Sequence, residues 1–173
     1  AQRSRDDLNA MKARVGEAEQ EIVRLQNELT ETSELVRHDQ LTGALNRKGL
    51  EEALDRELAR SQRRKTPICV ALLDVDNFKM LNDTYGHQTG DEALIHLARV
   101  IRETMRPHDT LVRYGGEEFL IILPDTPLPD AVSALTRLQR ELTKRFFLHQ
   151  NEKLLITFSA GVTAFHANES RNE

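Results

Sequence analysis

The stretch RYGGEEF, residues 113–119, places two glycines and two adjacent glutamates between runs of residues that are typical of β-strands. Glycine accepts positive φ angles without strain, so Gly115 and Gly116 predict a tight hairpin turn at this point. The flanking runs, TLV before the turn and FLIIL after it, are then two strands of one hairpin. The turn accounts for the glycines, but it leaves Glu117 and Glu118 without a structural reason.

A further strand signal lies upstream in TPICVALLDVD, residues 66–76, an apolar run that ends in two acids. Side chains alternate along a strand, so Asp74 and Asp76 share one face of its end. If the hairpin lies beside this strand, Asp74 and Glu117 converge on one point. Converging carboxylates repel unless a cation or a proton lies between them, and Mg²⁺ binds oxygen ligands together with substrate phosphates. The alternative is an acidic surface pair at strand ends.

Helices and strands alternate along the rest of the chain. Their patterns predict helices over residues 48–61, 90–105 and 128–147, and a last strand over residues 154–165. The predicted buried side of the second helix consists of Ala93, Leu94, Leu97, Ala98 and Ile101. The fold class is therefore α/β or α+β, with helices on the faces of an apolar sheet.

The first 37 residues follow a different period, with apolar residues at alternating steps of three and four, which predicts a coiled coil. The positions are Leu8, Met11, Val15, Ala18, Ile22, Leu25, Leu29, Thr32 and Val36. With Leu8 at position a, β-branched Ile22 falls at a and Leu25 at d, which favours a parallel two-stranded coil. We therefore expect residues 1–37 to form a parallel homodimer. The alternative is one amphipathic helix that folds back on its own domain.

Composition excludes several classes of protein. A net charge of -4 argues against a general nucleic-acid binder, which would usually show a basic face. No apolar run approaches the roughly 20 residues that span a bilayer, so we expect no membrane contact in this segment. The one cysteine, Cys69, lies in an apolar run and is predicted to be buried, which fits a reducing cytoplasm. None of the six histidines pairs at a zinc-ligand spacing.

Three motifs in order, DQLTGALNR, LDVDNFKMLNDTYGHQTGD and RYGGEEF, resemble the GGDEF family of diguanylate cyclases, in its GGEEF variant, from Asp39 to Gly161. The resemblance implies the fold of nucleotidyl cyclases and the polymerase palm, a mainly antiparallel sheet wrapped by helices. It also implies the condensation of two GTP molecules into cyclic di-GMP and pyrophosphate. Residues 38–173 would then be the cyclase domain.

The resemblance implies a metal and a catalytic role for the acids. Asp74, Glu117 and the backbone carbonyl of Val75 match the positions that bind Mg²⁺ or Mn²⁺ in the family. Metal ions lower the pKa of the attacking ribose 3′-hydroxyl and stabilise charge on the α-phosphate. Glu118 matches a residue proposed as a general base or as a group behind the metal ligands, although a surface glutamate would look the same.

The resemblance also implies a substrate pocket. Asn82 and Asp91 match the guanine-reading positions, and a carboxylate that accepts from the N1 and N2 hydrogens of guanine has no match in adenine. The phosphate-holding segment is matched by Lys79 and by the backbone around Asn77 and Phe78. Gly115 and Gly116 would form the turn against the nucleotide. Taken singly, each of these residues could equally be a solvated loop residue.

A second site is implied by RPHD, residues 106–109, which resembles the family's inhibitory RxxD motif. Arg106 can bind guanine or phosphate in a forked geometry, and Asp109 can accept from the guanine edge. Arg137 on the next helix is a candidate further contact, or simply an exposed helical arginine. Product inhibition by cyclic di-GMP is expected, and a catalytically silent cyclic di-GMP sensor that signals through the coil is the alternative function.

Both ends of the sequence prompt expectations. Family domains continue beyond Gly161 into a further helix that supplies cations to the triphosphate, whereas this sequence ends in NESRNE, residues 168–173. We therefore expect the cyclase domain to be C-terminally incomplete, with triphosphate binding weakened. The sequence also begins inside a heptad pattern, so we expect an upstream sensor or receiver domain. A purely structural role for the coil is the third alternative, and it leaves the acids unexplained.

Overall fold

The structure is a computed structural model that describes residues 2–165, apart from the side chains of residues 33–35. The chain divides into two compact units, Ala1–Val36 and Arg37–Glu173. The first unit consists of helix α1 (Gln2–Arg37). Its heptad residues are exposed to solvent, for example Ile22 at 54% and Leu25 at 50%. No helix in the described part of the chain is long and apolar enough to cross a membrane.

The second unit is built on a four-stranded sheet. Its strands are β1 (Ile68–Val75), β2 (Thr110–Arg113), β3 (Glu118–Pro124) and β6 (Phe158–Phe165). Their order is β2-β3-β1-β6, and every neighbouring pair is antiparallel. The predicted mainly antiparallel sheet is confirmed, as is the hairpin between β2 and β3. The reason given for the hairpin was wrong, because neither Gly115 nor Gly116 has a positive φ angle. A separate short hairpin consists of β4 (Phe147–His149) and β5 (Glu152–Leu154).

Helices cover both faces of the sheet, because β1 presents apolar side chains in both directions. The helices of this unit are α2 (Arg47–Arg64), α3 (Phe78–Tyr85), α4 (His87–Thr104) and α5 (Leu128–Lys144). α4 and α5 bury the face that contains Cys69, Ala71 and Leu73, and α2 packs on the opposite face against Ile68 and Val70. The predicted buried side of α4 is confirmed at all five of its positions.

Two element predictions were wrong in detail, and one helix was not predicted. The last helix ends at Lys144 instead of residue 147, because Phe147 is buried as part of β4. The predicted strand over residues 154–165 is broken after Leu154 and resumes at Phe158. Residues 78–85, which the sequence suggested only as part of a pocket, form helix α3. The burial predicted for Cys69 is confirmed, and this burial raises the pKa of its thiol.

Candidate active site

The antiparallel register brings three carboxylates to one end of the central strand pair. Asp74 on β1 lies directly opposite Glu118 on β3. One step further, the Val75 N–H donates to the Glu117 carbonyl oxygen at 3.1 Å. Like charges directly opposite each other across two strands are destabilising. A cation bound at this end of the sheet would relieve such a repulsion.

The register sets Glu118 directly opposite Asp74, and the Glu117 carbonyl pairs with the Val75 N–H. The convergence of the Asp74 and Glu117 side chains stays a prediction. Two or three carboxylates and one backbone carbonyl suit Mg²⁺, which takes few protein ligands and completes its shell with water and phosphate oxygens. Within residues 2–165, no group of three or more histidines, cysteines, aspartates or glutamates is arranged to hold a metal by itself.

Asp76 differs from Asp74, although both lie at the end of the same strand. Its two carboxylate oxygens accept hydrogen bonds from the hydroxyls of Thr157, at 2.8 Å, and Ser159, at 2.7 Å. These bonds tie the end of β1 to the segment that enters β6. Asp76 therefore helps to hold the sheet together.

The predicted guanine-reading residues lie on two helices that meet at a tight turn. Gly86, with φ of 94°, joins α3 to α4 and places Asn82 against Gly90. A Cβ atom added to Gly90 would lie 1.8 Å from Asn82 Oδ1, so a larger residue there would force the Asn82 amide to move. Asn82 Oδ1 is buried and has no hydrogen-bond partner among the described residues. Such an acceptor is costly unless a ligand supplies a donor. Asp91 follows Gly90 and is exposed.

The predicted phosphate-holding segment is the start of α3. Asn77 adopts a left-handed conformation, with φ of 55°, and its side chain makes no capping hydrogen bond. The first N–H groups of a helix have no partner within it, and they attract anions. Lys79 is exposed at this end of the helix, while the half-buried Phe78 ring packs towards Gly90. The segment can thus offer backbone donors and one cation to a phosphate group.

Two arginines clamp the glycine turn. The guanidinium of Arg113 donates to both carboxylate oxygens of Asp39 at 3.2 Å and to the Gly116 carbonyl at 2.7 Å. Arg47 donates to the Tyr114 carbonyl at 2.7 Å and stacks over the Tyr114 ring at 4.3 Å. No role was predicted for these residues from the sequence. A signal was present, because Asp39 and Arg113 lie inside two of the quoted motifs.

We expect Asp39→Asn to lower the free energy of unfolding by about 1 kcal/mol near neutral pH. Burial would raise the pKa of Asp39, but hydrogen bonds from Thr42 and Arg113 outweigh it and lower the pKa below 3.8. A lowered pKa stabilises the folded state above the unfolded pKa, and this stabilisation is lost as the pH falls through the folded value. In urea titrations, the difference between wild type and variant should therefore shrink below pH 4. A difference that is constant down to pH 2 would contradict this assignment.

The second predicted site lies in the loop between α4 and β2. Asp109 is almost fully buried, with 2% of its side chain exposed, and it accepts a hydrogen bond from the Arg106 N–H at 3.0 Å. Its Oδ1 has no partner among the described residues. Burial raises the pKa of Asp109, although Arg106, His108 and Arg137 act to lower it. The guanidinium of Arg106 donates to Thr126. Arg137 is exposed on α5.

Comparison with known proteins places this fold in one family. The model of the diguanylate cyclase GGDEF domain matches residues 36–173. The chain belongs to the GGDEF family. Diguanylate cyclase DgcP of Pseudomonas aeruginosa is 39% identical over 163 residues, which are 94% of this chain and 24% of DgcP. Response regulator PleD of Caulobacter vibrioides is 40% identical over 142 residues, which are 81% of this chain and 31% of PleD. The chain thus spans a quarter to a third of these GGDEF relatives.

Solved structures of the GGDEF family extend the likeness to the N-terminal helix. The coiled coil and GGDEF domain of DgcB from Caulobacter crescentus, in complex with c-di-GMP, matches with a TM-score of 0.85 and 33% identity. The match covers 92% of this chain and 85% of that one. Diguanylate cyclase SiaD of Pseudomonas aeruginosa, in complex with its activator SiaC, matches with a TM-score of 0.76 and 37% identity. That match covers 99% of this chain and 66% of the SiaD chain.

Proposed function

We propose that this chain is a diguanylate cyclase, which joins two GTP molecules into cyclic di-GMP and releases pyrophosphate. The observation that carries the proposal is the register of β1 and β3, which sets Asp74 opposite Glu118 beside the Glu117–Val75 hydrogen bond. Helix α3, which contains the predicted phosphate-holding segment, begins shortly after β1 ends. GTP is a cytoplasmic nucleotide, so we place the reaction in the cytoplasm.

In each of two transfers, the 3′-hydroxyl oxygen of one GTP bonds to the α-phosphorus of the other, and the bond to pyrophosphate breaks. Asp74, Glu117 and the Val75 carbonyl would hold Mg²⁺ or Mn²⁺, which stabilises charge on the phosphate and acidifies the hydroxyl. Glu118, which lies directly opposite Asp74, would accept the hydroxyl proton. The start of α3 and Lys79 would hold the phosphates.

Recognition of guanine would fall to Asn82 and Asp91. Guanine presents N–H donors at N1 and N2, and these match the buried acceptor of Asn82 and the exposed carboxylate of Asp91. Adenine has no donor at N1, so it would leave these acceptors unpaired. Gly115 and Gly116 let the backbone of the turn lie close to the nucleotide, and the Arg113 and Arg47 contacts hold that turn in shape.

One domain holds one GTP, so the product requires two domains that face each other. We infer that the coil supplies this encounter as a parallel homodimer. The exposed heptad residues on α1 support the inference, because so many apolar side chains on one helix face need a partner helix. A coil that changes register or orientation could then set the rate of encounter.

If the coil forms, substitutions at two neighbouring residues should have very different effects on dimerisation. Ile22→Asp should weaken the dimer about tenfold or more, because it places a charge at an a position of the seam. Val23→Asp is the matched control, since Val23 is exposed to the same degree, 55% against 54%, but lies at position b. Sedimentation velocity and the rate of cyclic di-GMP formation in dilute protein measure both variants. Equal dimerisation and equal rates in the two variants would contradict the coiled-coil dimer.

We also propose that Arg106 and Asp109 bind the product and inhibit the enzyme. The buried Asp109 Oδ1 supports this, because it lacks the donor that a guanine edge would supply. Binding would require Arg106 to leave Thr126 and turn outward. Arg137 would add a further positive charge to the site.

For the product site, Arg106→Ala should raise the cyclic di-GMP concentration for half inhibition about tenfold or more, because a charged hydrogen-bonding partner is lost. Inhibition curves on the full-length chain measure this effect. Arg99→Ala, which alters an exposed arginine on α4, is the control and should leave the curve unchanged. An unaltered curve in Arg106→Ala would remove the site from the proposal.

The direct test of the proposed function is GTP turnover by the full-length chain with Mg²⁺, in which cyclic di-GMP and pyrophosphate are followed by chromatography. We expect one cyclic di-GMP for every two pyrophosphates, and no cyclic product from ATP. Absence of turnover together with cyclic di-GMP binding that is lost in Arg106→Ala would favour the sensor function instead.

A further inference from the structure

The hairpin of β4 and β5 lies against the turn between α3 and α4. The His149 Nδ1 atom is 3.3 Å from the Thr89 hydroxyl oxygen. The His149 ring meets the Tyr85 ring edge to face, with centroids 5.3 Å apart and planes at 69°. From the other strand, a Glu152 carboxylate oxygen accepts a hydrogen bond from the Tyr85 hydroxyl at 3.3 Å. Two hairpin side chains therefore contact one short segment of the α3–α4 turn.

The hairpin is held firmly enough to act as a support. Gln150 and Asn151 both have positive φ angles, 47° and 67°, which is the geometry of a tight two-residue turn. At its base, Phe147 is buried in the main core, and the His96 ring nitrogen is paired with the Arg145 carbonyl at 3.1 Å. The turn and the base together fix where the tip of the hairpin lies.

A short series of contacts leads from the hairpin to the predicted guanine pair. Thr89 is buried, and its hydroxyl also pairs with the Tyr85 carbonyl at 3.2 Å. The Gly86 N–H donates to the Asn82 carbonyl at 2.8 Å, and the Gly90 N–H donates to the Gly86 carbonyl at 3.2 Å. The α3–α4 turn therefore fixes the spacing between Asn82 and the residues after Gly90.

We propose that the β4–β5 hairpin braces the guanine-reading turn, and that His149 and Glu152 are positioning residues for GTP binding. The inference rests on the proposed function, because it assumes that Asn82 and Asp91 bind guanine. Without the brace, the α3–α4 turn would lose its polar contacts on the hairpin side. The distance between Asn82 and Asp91 would then vary, and GTP would have to order the turn when it binds.

The titration of Tyr85 is consistent with this arrangement. Burial, the charge of Glu152 and the hydrogen bond to Glu152 all raise the pKa of the Tyr85 hydroxyl. The hydroxyl therefore stays protonated and continues to donate to Glu152 across the neutral pH range. A positioning contact of this kind acts on nucleotide affinity and leaves the reacting atoms untouched.

The test compares three variants of the full-length chain in steady-state kinetics. His149→Leu should raise KM for GTP about threefold to tenfold, the cost of one lost hydrogen bond, with kcat changed less than twofold. His149→Asn keeps a polar atom near the position of Nδ1, so its KM should stay close to that of the wild type. Leu148→Ala is the matched control, because the Leu148 side chain is 63% exposed on the neighbouring position of the same strand.

Calorimetric GTP binding on the same proteins separates this inference from the proposed function. Absence of turnover in the wild type would contradict the cyclase, while the affinities of His149→Leu and His149→Asn would still decide whether the brace exists. Unchanged affinity and KM in His149→Leu would overturn the brace. An equal loss in His149→Asn and His149→Leu would overturn the hydrogen-bond argument, and a wild type that binds no GTP would overturn both proposals.

Discussion

Asp74→Asn should lower the rate of cyclic di-GMP formation by roughly 10²- to 10³-fold, because it removes a charge that would hold the metal beside the reacting phosphate. Asparagine is nearly the same size as aspartate, so the strand and its packing are preserved. The rate is measured at saturating GTP and Mg²⁺. A rate within fivefold of the wild type would contradict the role of Asp74.

The same substitution that lowers activity should raise the stability of the folded protein. In the absence of divalent cations, Asp74 and Glu118 are like charges directly opposite each other on neighbouring strands. Removing one of them should stabilise the protein by about 0.2–1 kcal/mol. Urea denaturation in EDTA measures this difference. A loss of stability in Asp74→Asn would show that the carboxylate supports the fold, and the loss of activity would then no longer identify a metal ligand.

Asp76→Asn is the matched control, because it alters the same kind of residue two positions along the chain. Asp76 accepts hydrogen bonds from Thr157 and Ser159, so its replacement should cost about 1 kcal/mol of stability. Its effect on turnover should be far smaller than that of Asp74→Asn. The two substitutions should therefore have opposite effects. Asp74→Asn should lose activity and keep its stability, whereas Asp76→Asn should lose stability and keep its activity.

The parts of the fold that the sequence predicts are those with a strong local period. The side of α4 that contains Leu94 and Leu97 is buried as expected, because helical spacing places both residues on one face. The hairpin at Gly115 and Gly116 follows from two residues that are poorly suited to a strand. The long apolar run that ends at Asp74 predicts a central strand, because a strand in the middle of a sheet is covered on both faces.

Features that depend on register or on distant contacts could not be predicted. Whether Glu117 or Glu118 lies opposite Asp74 depends on the length of the turn, and one residue reverses the answer. The β4–β5 hairpin turns at Gln150 and Asn151 without a glycine, so its signal is weak. The contact between Arg106 and Thr126 joins residues on separate elements, and no local pattern reveals it.

Gly90→Ala should raise KM for GTP about tenfold or more, because the new methyl group would occupy the position of the Asn82 side chain. The added Cβ atom would lie 1.8 Å from Asn82 Oδ1 and 2.9 Å from its Cγ atom, so the amide must move. Losing a buried hydrogen bond to the base costs about 1–3 kcal/mol, and 1.4 kcal/mol corresponds to a factor of ten. Steady-state kinetics with GTP measure the change, and kcat should fall much less than kcat/KM.

The conformation of α4 itself gives no reason for a glycine at this position, because alanine is favoured over glycine within a helix by about 1 kcal/mol. Gly16→Ala in α1 is the control for that preference, since a Cβ atom there would have nothing within 4 Å. It should stabilise the protein without changing KM.

The decisive measurement is the double variant, because in an Asn82→Ala background the clash with the amide is gone. Gly90→Ala should then add little to KM, and fully additive effects would show that Gly90 acts on GTP binding independently of Asn82.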